Sequence, residues 1–235
     1  RSVTQMTAKR FRPQMTDSER KRGWVFFGLY ILVLPYLTAI AQRLIFGDGE
    51  SPVAEANIIY YGLLFALALL VFWSFLRHGF TLLLDWLPEN LFAIATGLGG
   101  WAILTALVRL LPMPVENPVP MQYLQEYAIS PTATVLLVVL LMPLIEETLF
   151  RGLVFGSLRR YSRVLAYVVS VLVFAFCSVW RYALGFGDAQ FLLLGLQYLP
   201  AGLALAWCYD NGGSIWGTIG LRMAMSGISL FLILR

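Results

Sequence analysis

Long apolar stretches separated by short polar segments run through this chain of 235 residues. As α-helices, stretches of roughly twenty residues match the roughly 30 Å thickness of a bilayer's hydrocarbon core. The pattern therefore predicts an all-α, polytopic membrane protein with about seven transmembrane helices. The predicted spans lie at about 24–41, 57–76, 91–111, 132 to the basic turn at 159–163, 164–180, 190–208 and 214–234.

Proline and glycine refine this pattern. Prolines at 112, 114, 118, 120 and 131 predict an outer loop over 111–131, with a short helix near 121–127. The apolar segment 80–87 is expected to lie in the membrane interface. Pro35 predicts a kink in the first span. Three glycines in the third span are expected to let a neighbouring helix approach closely, namely Gly97, Gly99 and Gly100.

Composition supports the membrane assignment, because 59% of the residues are hydrophobic and only 13% are charged. A water-facing surface needs more charge than that. Basic residues precede the first span and return at 159–163, whereas 42–56 is acidic, which by the positive-inside rule places the N-terminus in the cytoplasm. We therefore expect a basic cytoplasmic tail over 1–23 and a single transmembrane domain over 24–235. The basic tail is expected to contact the lipid bilayer rather than nucleic acid.

The most informative stretch is PLIEETLFRG, residues 143–152, where three charged residues interrupt an apolar run. Each charge near the bilayer centre costs roughly 2.5 to 3.5 kcal/mol on insertion scales. Glu147 and Arg151 are four residues apart, so on a helix they share a face and can pair. Glu146 points about 100° away and must face another helix or a wet cavity. Pro143 predicts a kink in the helix just before Glu146.

Two later stretches also place polar groups at membrane depth, FAFCSVWR at 174–181 and GSIWGTIGLRMAMS at 213–226. Together with EETLFRG they resemble the three motifs of the CPBP family, the CAAX prenyl-protease and bacteriocin-processing membrane proteins also called the Abi group. The resemblance covers a core at about 132–235. The first motif is complete, but Arg222 stands at the histidine of the third motif. Ser226 stands where asparagine is common, and Ser178 or Trp180 stands at the histidine of the second.

The resemblance implies an intramembrane endopeptidase in which a glutamate and a histidine activate water while the third motif stabilises the oxyanion. This chain's single histidine, His78, lies outside all three motifs. The resemblance implies no cofactor, and the residues do not make the usual zinc ligand set. Carried over position by position, the candidate catalytic residues are Glu146, Glu147, Arg151, Ser178, Arg222 and Ser226.

Three functions fit these observations. The first is a degenerate CPBP-type protein, weak or inactive as an enzyme, that binds a membrane-anchored peptide or protein as a scaffold or immunity-like factor. The second is an active glutamate-dependent endopeptidase that cuts membrane-anchored peptides or prenylated proteins. The third is a small transporter that uses the buried charges as an ion site. The expected location is a bacterial plasma membrane.

Arg222 separates the first two functions. It is expected within hydrogen-bonding reach of Glu146, where it could silence the carboxylate or donate to an oxyanion. The predicted topology places the glutamates near the cytoplasmic end of the fourth span, which by analogy with the family suits substrates cut near the inner leaflet.

Overall fold

The computed structural model describes residues 14–33, Tyr36, Ile40 and 53–235, with side chains described from residue 58 onward in the last range. This part of the chain is helical and contains no β-strand, which confirms the predicted all-α class. The helices are α1 (Asp17–Gly28, continued by a π-helical segment, Leu29–Val33), α2 (Val53–Val71), α3 (Trp73–Asp85), α4 (Leu87–Val108), α5 (Val119–Ile129), α6 (Pro131–Arg159), α7 (Arg163–Phe186), α8 (Ala189–Gly212) and α9 (Ile215–Leu234).

By length and composition, five of these helices can cross a membrane: α4, α6, α7, α8 and α9. The pair formed by α2 and α3 would make a sixth span, although it is bent by 82°. The protein is therefore an integral membrane protein with five or six candidate spans in the described residues. The predicted first span, 24–41, and its kink at Pro35 lie partly outside those residues. The count of seven and the cytoplasmic N-terminus stay predictions.

The predicted second span, 57–76, is wrong at its end, because the helix breaks at Phe72 and turns into α3. Apolar residues continue through the break, so the sequence pattern gives no sign of it. The bend is held from outside: Glu19 of α1 accepts a hydrogen bond from the backbone N–H of Phe75 over 2.9 Å. This N–H lies in the first turn of α3 and has no partner within its own helix. Glu19 is itself buried and closes a capping box with Thr16.

The central helix is α6. In its most apolar window 67% is buried inside the protein, against 11% for α4 on the periphery. Its core side chains are Leu144, Ile145, Leu149 and Leu153, all at most 3% exposed. An apolar helix with little lipid contact is where charged groups can be shielded by protein.

Pro143 does not break α6. The turn ahead of it widens into a π-helix over Leu136–Leu141, and the N–H of Met142 bonds to the carbonyl of Leu137, five residues back. A wide turn of this kind accommodates a residue that lacks an N–H. A second π segment, Thr148–Phe155, follows the glutamates. Glu146 lies near the middle of α6. The expectation that it sits near the cytoplasmic end of the membrane span stays a prediction.

The turn between α8 and α9 fixes the position of the third motif. Gly213 ends α8 with φ +80°, a conformation that glycine adopts readily. Ser214 then caps α9 by accepting from the N–H of Trp216, and its hydroxyl donates to the carbonyl of Gly79 over 2.7 Å. The indole of Trp216 donates to the carbonyl of Leu76 over 2.8 Å. The serine and tryptophan of this motif therefore tie α9 to α3.

Candidate functional site

The first ion pair of the site lies within α6. Arg151 Nε is 3.2 Å from Glu147 Oε2, its Nη1 donates to Oε1 over 3.4 Å, and neither side chain is exposed. Nη2 of Arg151 donates to the carbonyl of Gly202 on α8 over 3.2 Å. The predicted pairing at four-residue spacing is confirmed. The pair also holds α6 against α8, which sequence spacing did not indicate.

The second ion pair joins α6 to α9. Nη2 of Arg222 donates to Oε2 of Glu146 over 2.9 Å, so the predicted contact between these residues is confirmed. Nε of Arg222 lies 3.9 Å from Oε1 of Glu147. The two carboxylates and two guanidiniums thus form one cluster in which the formal charges cancel. Cancellation within the protein lowers the cost of placing four charges at membrane depth.

Phe174 of α7 covers both guanidiniums. The carbon centre of Arg151 lies 4.4 Å from its ring centroid and that of Arg222 lies 5.5 Å away. Contacts of this kind favour a cation over an aromatic face, most strongly where water is excluded. Sequence reasoning recognised Phe174 only as part of a motif frame. The FxxxH-like spacing could not show that one ring would cover two arginines from different helices.

The two candidate serines, Ser178 and Ser226, line the same cavity as Glu146. Ser178 donates its hydroxyl to the carbonyl of Phe174 over 2.8 Å, within α7. Ser226 is buried on α9, one turn beyond Arg222. In the described part of the chain neither serine hydrogen-bonds to Glu146. Trp180, the other candidate at the second-motif position, also lines the cavity.

The cavity beside Glu146 has a volume of about 680 Å³. Sites that enclose small molecules span roughly 300 to 1,000 Å³. Its lining includes Glu146 and Arg222 and extends to Arg109 and Arg181, near the ends of α4 and α7. The ion pair therefore borders a space large enough for a ligand, a combination that sequence reasoning had treated as two alternatives.

Tyr123 is a lining residue that sequence reasoning missed. It belongs to α5, which is not a candidate span, and burial followed by the charge of Glu146 raises the pKa of Tyr123 well above its usual range. Its phenol therefore stays protonated and can donate a hydrogen bond to a ligand. A lone tyrosine in a proline-rich connection carries no sequence signal for such a role.

His78 lies on the exposed side of α3 and is not part of the cavity lining. Cys177 and Cys208 are free thiols on α7 and α8. Among the residues that the structure describes, no three histidine, cysteine or acidic side chains are grouped closely enough to hold a metal ion.

Comparison with known families bears on the charged cluster directly. Residues 128–228 match the model of one family, which is described as type II CAAX prenyl endopeptidase Rce1-like. This segment is Rce1-like. The resemblance to CPBP proteases predicted from EETLFRG is thereby confirmed, and the Rce1-like segment contains all six candidate residues. No curated protein and no solved structure matches the chain.

Proposed function

We propose that this Rce1-like membrane protein is a degenerate family member, weak or inactive as a protease, that binds a membrane-anchored peptide or protein as a scaffold or immunity-like factor. The observation that carries the proposal is the 2.9 Å contact between Arg222 and Glu146. A guanidinium stays protonated in proteins. It therefore holds the carboxylate as a hydrogen-bond acceptor instead of leaving it free to take a proton from water.

The residue types around Glu146 support the same proposal. The histidine expected in the third motif is Arg222, and the second motif offers Ser178 or Trp180. Serine and tryptophan do not act as bases near neutral pH, since neither side chain titrates there. The cavity remains, so a ligand can be bound even where the groups that would activate water are missing.

An active glutamate-dependent endopeptidase is the second candidate, and the cavity favours it. Only Oε2 of Glu146 takes part in the contact with Arg222, and the Glu146 side chain keeps 14% of its surface exposed. Water could then reach the other oxygen, while Arg222 donates to a developing oxyanion. In this case Arg222 would be a catalytic group instead of a residue that holds the Glu146 carboxylate inactive.

A cleavage assay separates the two candidates. Purified protein is incubated with membrane-anchored peptides, both prenylated and leader-bearing, beside the matched variant Glu146→Gln. We expect no cleavage by either protein. Cleavage by the wild type that Glu146→Gln abolishes would overturn the degenerate function and establish the endopeptidase.

The binding half of the proposal has its own test. Ser229 lines the cavity, whereas its neighbour Ile228 is exposed on the helix surface and does not line it. Ser229→Trp should block cross-linking of the same peptides, and Ile228→Trp should not. Loss of cross-linking in both variants, or in neither, would count against binding inside the cavity. Size-exclusion profiles check that both variants fold.

A further inference from the structure

We propose that the cavity binds a single-chain anionic lipid, with its carboxylate or phosphate head group at Arg109 and Arg181 and its hydrocarbon chain directed toward α6. This inference goes beyond the proposed function, because it adds a lipid site in the same cavity. We call Arg109 and Arg181 the end arginines.

Charge in the cavity is unbalanced. Its described lining carries three arginines, Arg109, Arg181 and Arg222, and one acidic residue, Glu146. The pair Arg222 and Glu146 is internally neutral, so the end arginines remain. Both are exposed, and neither forms an ion pair with any other described residue. An anionic group entering the cavity would therefore meet two uncompensated cations.

The arginines at the turn between α6 and α7 differ from the end arginines. Arg159 and Arg163 both contact the carboxylate of Asp210, at 2.6 and 2.7 Å. These two arginines already have an anion supplied by the chain. The end arginines lack one among the described residues, although they line the cavity beside the charged cluster.

Part of the lining suits a hydrocarbon chain. Val138 and Met142 of α6 and Met225 of α9 give the cavity an apolar wall. Polar side chains line other parts of the cavity, and the amides of Asn117 and Gln197 bond to each other over 2.9 Å. A hydrocarbon chain needs no hydrogen-bonding partner, so it can lie along the apolar wall.

Photocross-linking tests this assignment. The full chain is placed in phosphatidylcholine nanodiscs with palmitate carrying a diazirine in its chain, and the labelled residues are located by mass spectrometry. We expect labels on cavity residues such as Met142 and Met225. Unlabelled palmitate or hexadecyl phosphate should compete, each identifying its own head group, whereas uncharged methyl palmitate should compete at least about tenfold more weakly.

Variants of the end arginines supply the control. The double variant Arg109→Gln and Arg181→Gln should lower cavity labelling at least about tenfold, while the double lysine variant should retain most of it. Arg160→Gln, at an exposed arginine outside the cavity, should leave labelling unchanged. Labels confined to lipid-facing helix surfaces would overturn the proposal. So would equal labelling in the glutamine variant, equal competition by methyl palmitate, or competition by a peptide carboxylate alone.

The experiments distinguish a failure of the lipid proposal from a failure of the proposed function. Peptide cross-linking that depends on Ser229 but not on the end arginines would leave the binding function standing while removing the lipid. Lipid labelling without any peptide capture would support the lipid site and count against the proposed peptide binding. Cleavage that needs Glu146 would overturn the degenerate function without bearing on the lipid.

Discussion

Arg222 and Glu146 are 76 positions apart in the chain, yet Nη2 of the arginine lies 2.9 Å from Oε2 of the glutamate. The contact fastens the last described helix, α9, to the central helix, α6. It also forms part of the wall of the cavity. The side chains keep 20% and 14% of their surfaces exposed, so water from the cavity can reach them. This exposure sets how much the pair contributes to stability.

We predict that Arg222→Met destabilises the protein by about 1 to 3 kcal/mol, because Glu146 then loses its partner in a partly buried place. Partial hydration keeps the effect below that of a fully buried pair. The double variant Glu146→Gln with Arg222→Met should recover most of the loss. Thermal unfolding in detergent measures both. A double variant no more stable than Arg222→Met would show that the two charges are not coupled.

Substitution within the ion pair of α6 should destabilise the protein more. Glu147 and Arg151 have no exposed surface, so Arg151→Ala leaves a buried carboxylate and should cost about 3 to 5 kcal/mol. Glu147→Gln combined with Arg151→Met removes both charges and should lower the yield of folded protein less. Arg160→Ala, at an exposed arginine near the end of α6, is the control and should have little effect. Equal losses in the single and double variants would mean that the pair does not hold the site.

The charged cluster was predictable from the sequence because its spacing is short and its residue types are costly in a membrane. Glu147 and Arg151 pair at a helical spacing that any α-helix imposes. Arg222 could be placed opposite Glu146 only through the family resemblance, since the two are distant in the chain. The ring of Phe174 and the carbonyl of Gly202 had no such signal. Both depend on how α7 and α8 pack against α6.

The three glycines of α4 show that glycine content alone does not identify which residue lies at a helix contact. All three were expected at a close helix contact, but only Gly97 is at one: a Cβ there would lie 2.7 Å from Leu221 of α9. Among the residues that the structure describes, Gly99 and Gly100 have no such neighbour within 4 Å. Adjacent glycines point to different sides of a helix, so a run of them cannot all face one partner. The bend at Phe72 escaped prediction for a similar reason, because its cap comes from Glu19 on another helix.

These glycines give a matched pair of variants. Gly97→Ala should be less stable than Gly99→Ala by about 1 to 2 kcal/mol, because the added methyl group forces the end of the buried Leu221 side chain to move and this cost offsets the gain in helix propensity. Gly99→Ala should be neutral or stabilising by up to about 1 kcal/mol, since alanine is the better helix former and the space is open. Thermal unfolding of both in the same detergent measures the difference. A more damaging Gly99→Ala would contradict this helix packing.

The last prediction concerns which face of the membrane the cavity opens toward. One end of the bundle brings together the start of α1 and the turn between α8 and α9, since Gln14 donates to the carbonyl of Gly213 over 2.6 Å. The turn between α6 and α7 lies there too, through the contact of Arg159 with Asp210. The described lysines and arginines near this end are Arg20, Lys21, Arg22, Arg77, Arg159, Arg160 and Arg163.

Fewer basic residues mark the opposite end, where Asn117 bonds to Gln197 and the end arginines lie. The positive-inside rule therefore assigns the Arg159 end to the cytoplasm and the end arginines to the outer face. Reporter fusions after Gly47 and after Tyr161 should report opposite sides, with Tyr161 inside. As a second measurement, Glu116→Cys should react with an impermeant maleimide added to intact cells, and Tyr161→Cys should react only after lysis. If Tyr161→Cys were the one labelled in intact cells, the cavity would open to the cytoplasm, and its ligand would have to come from the inner leaflet.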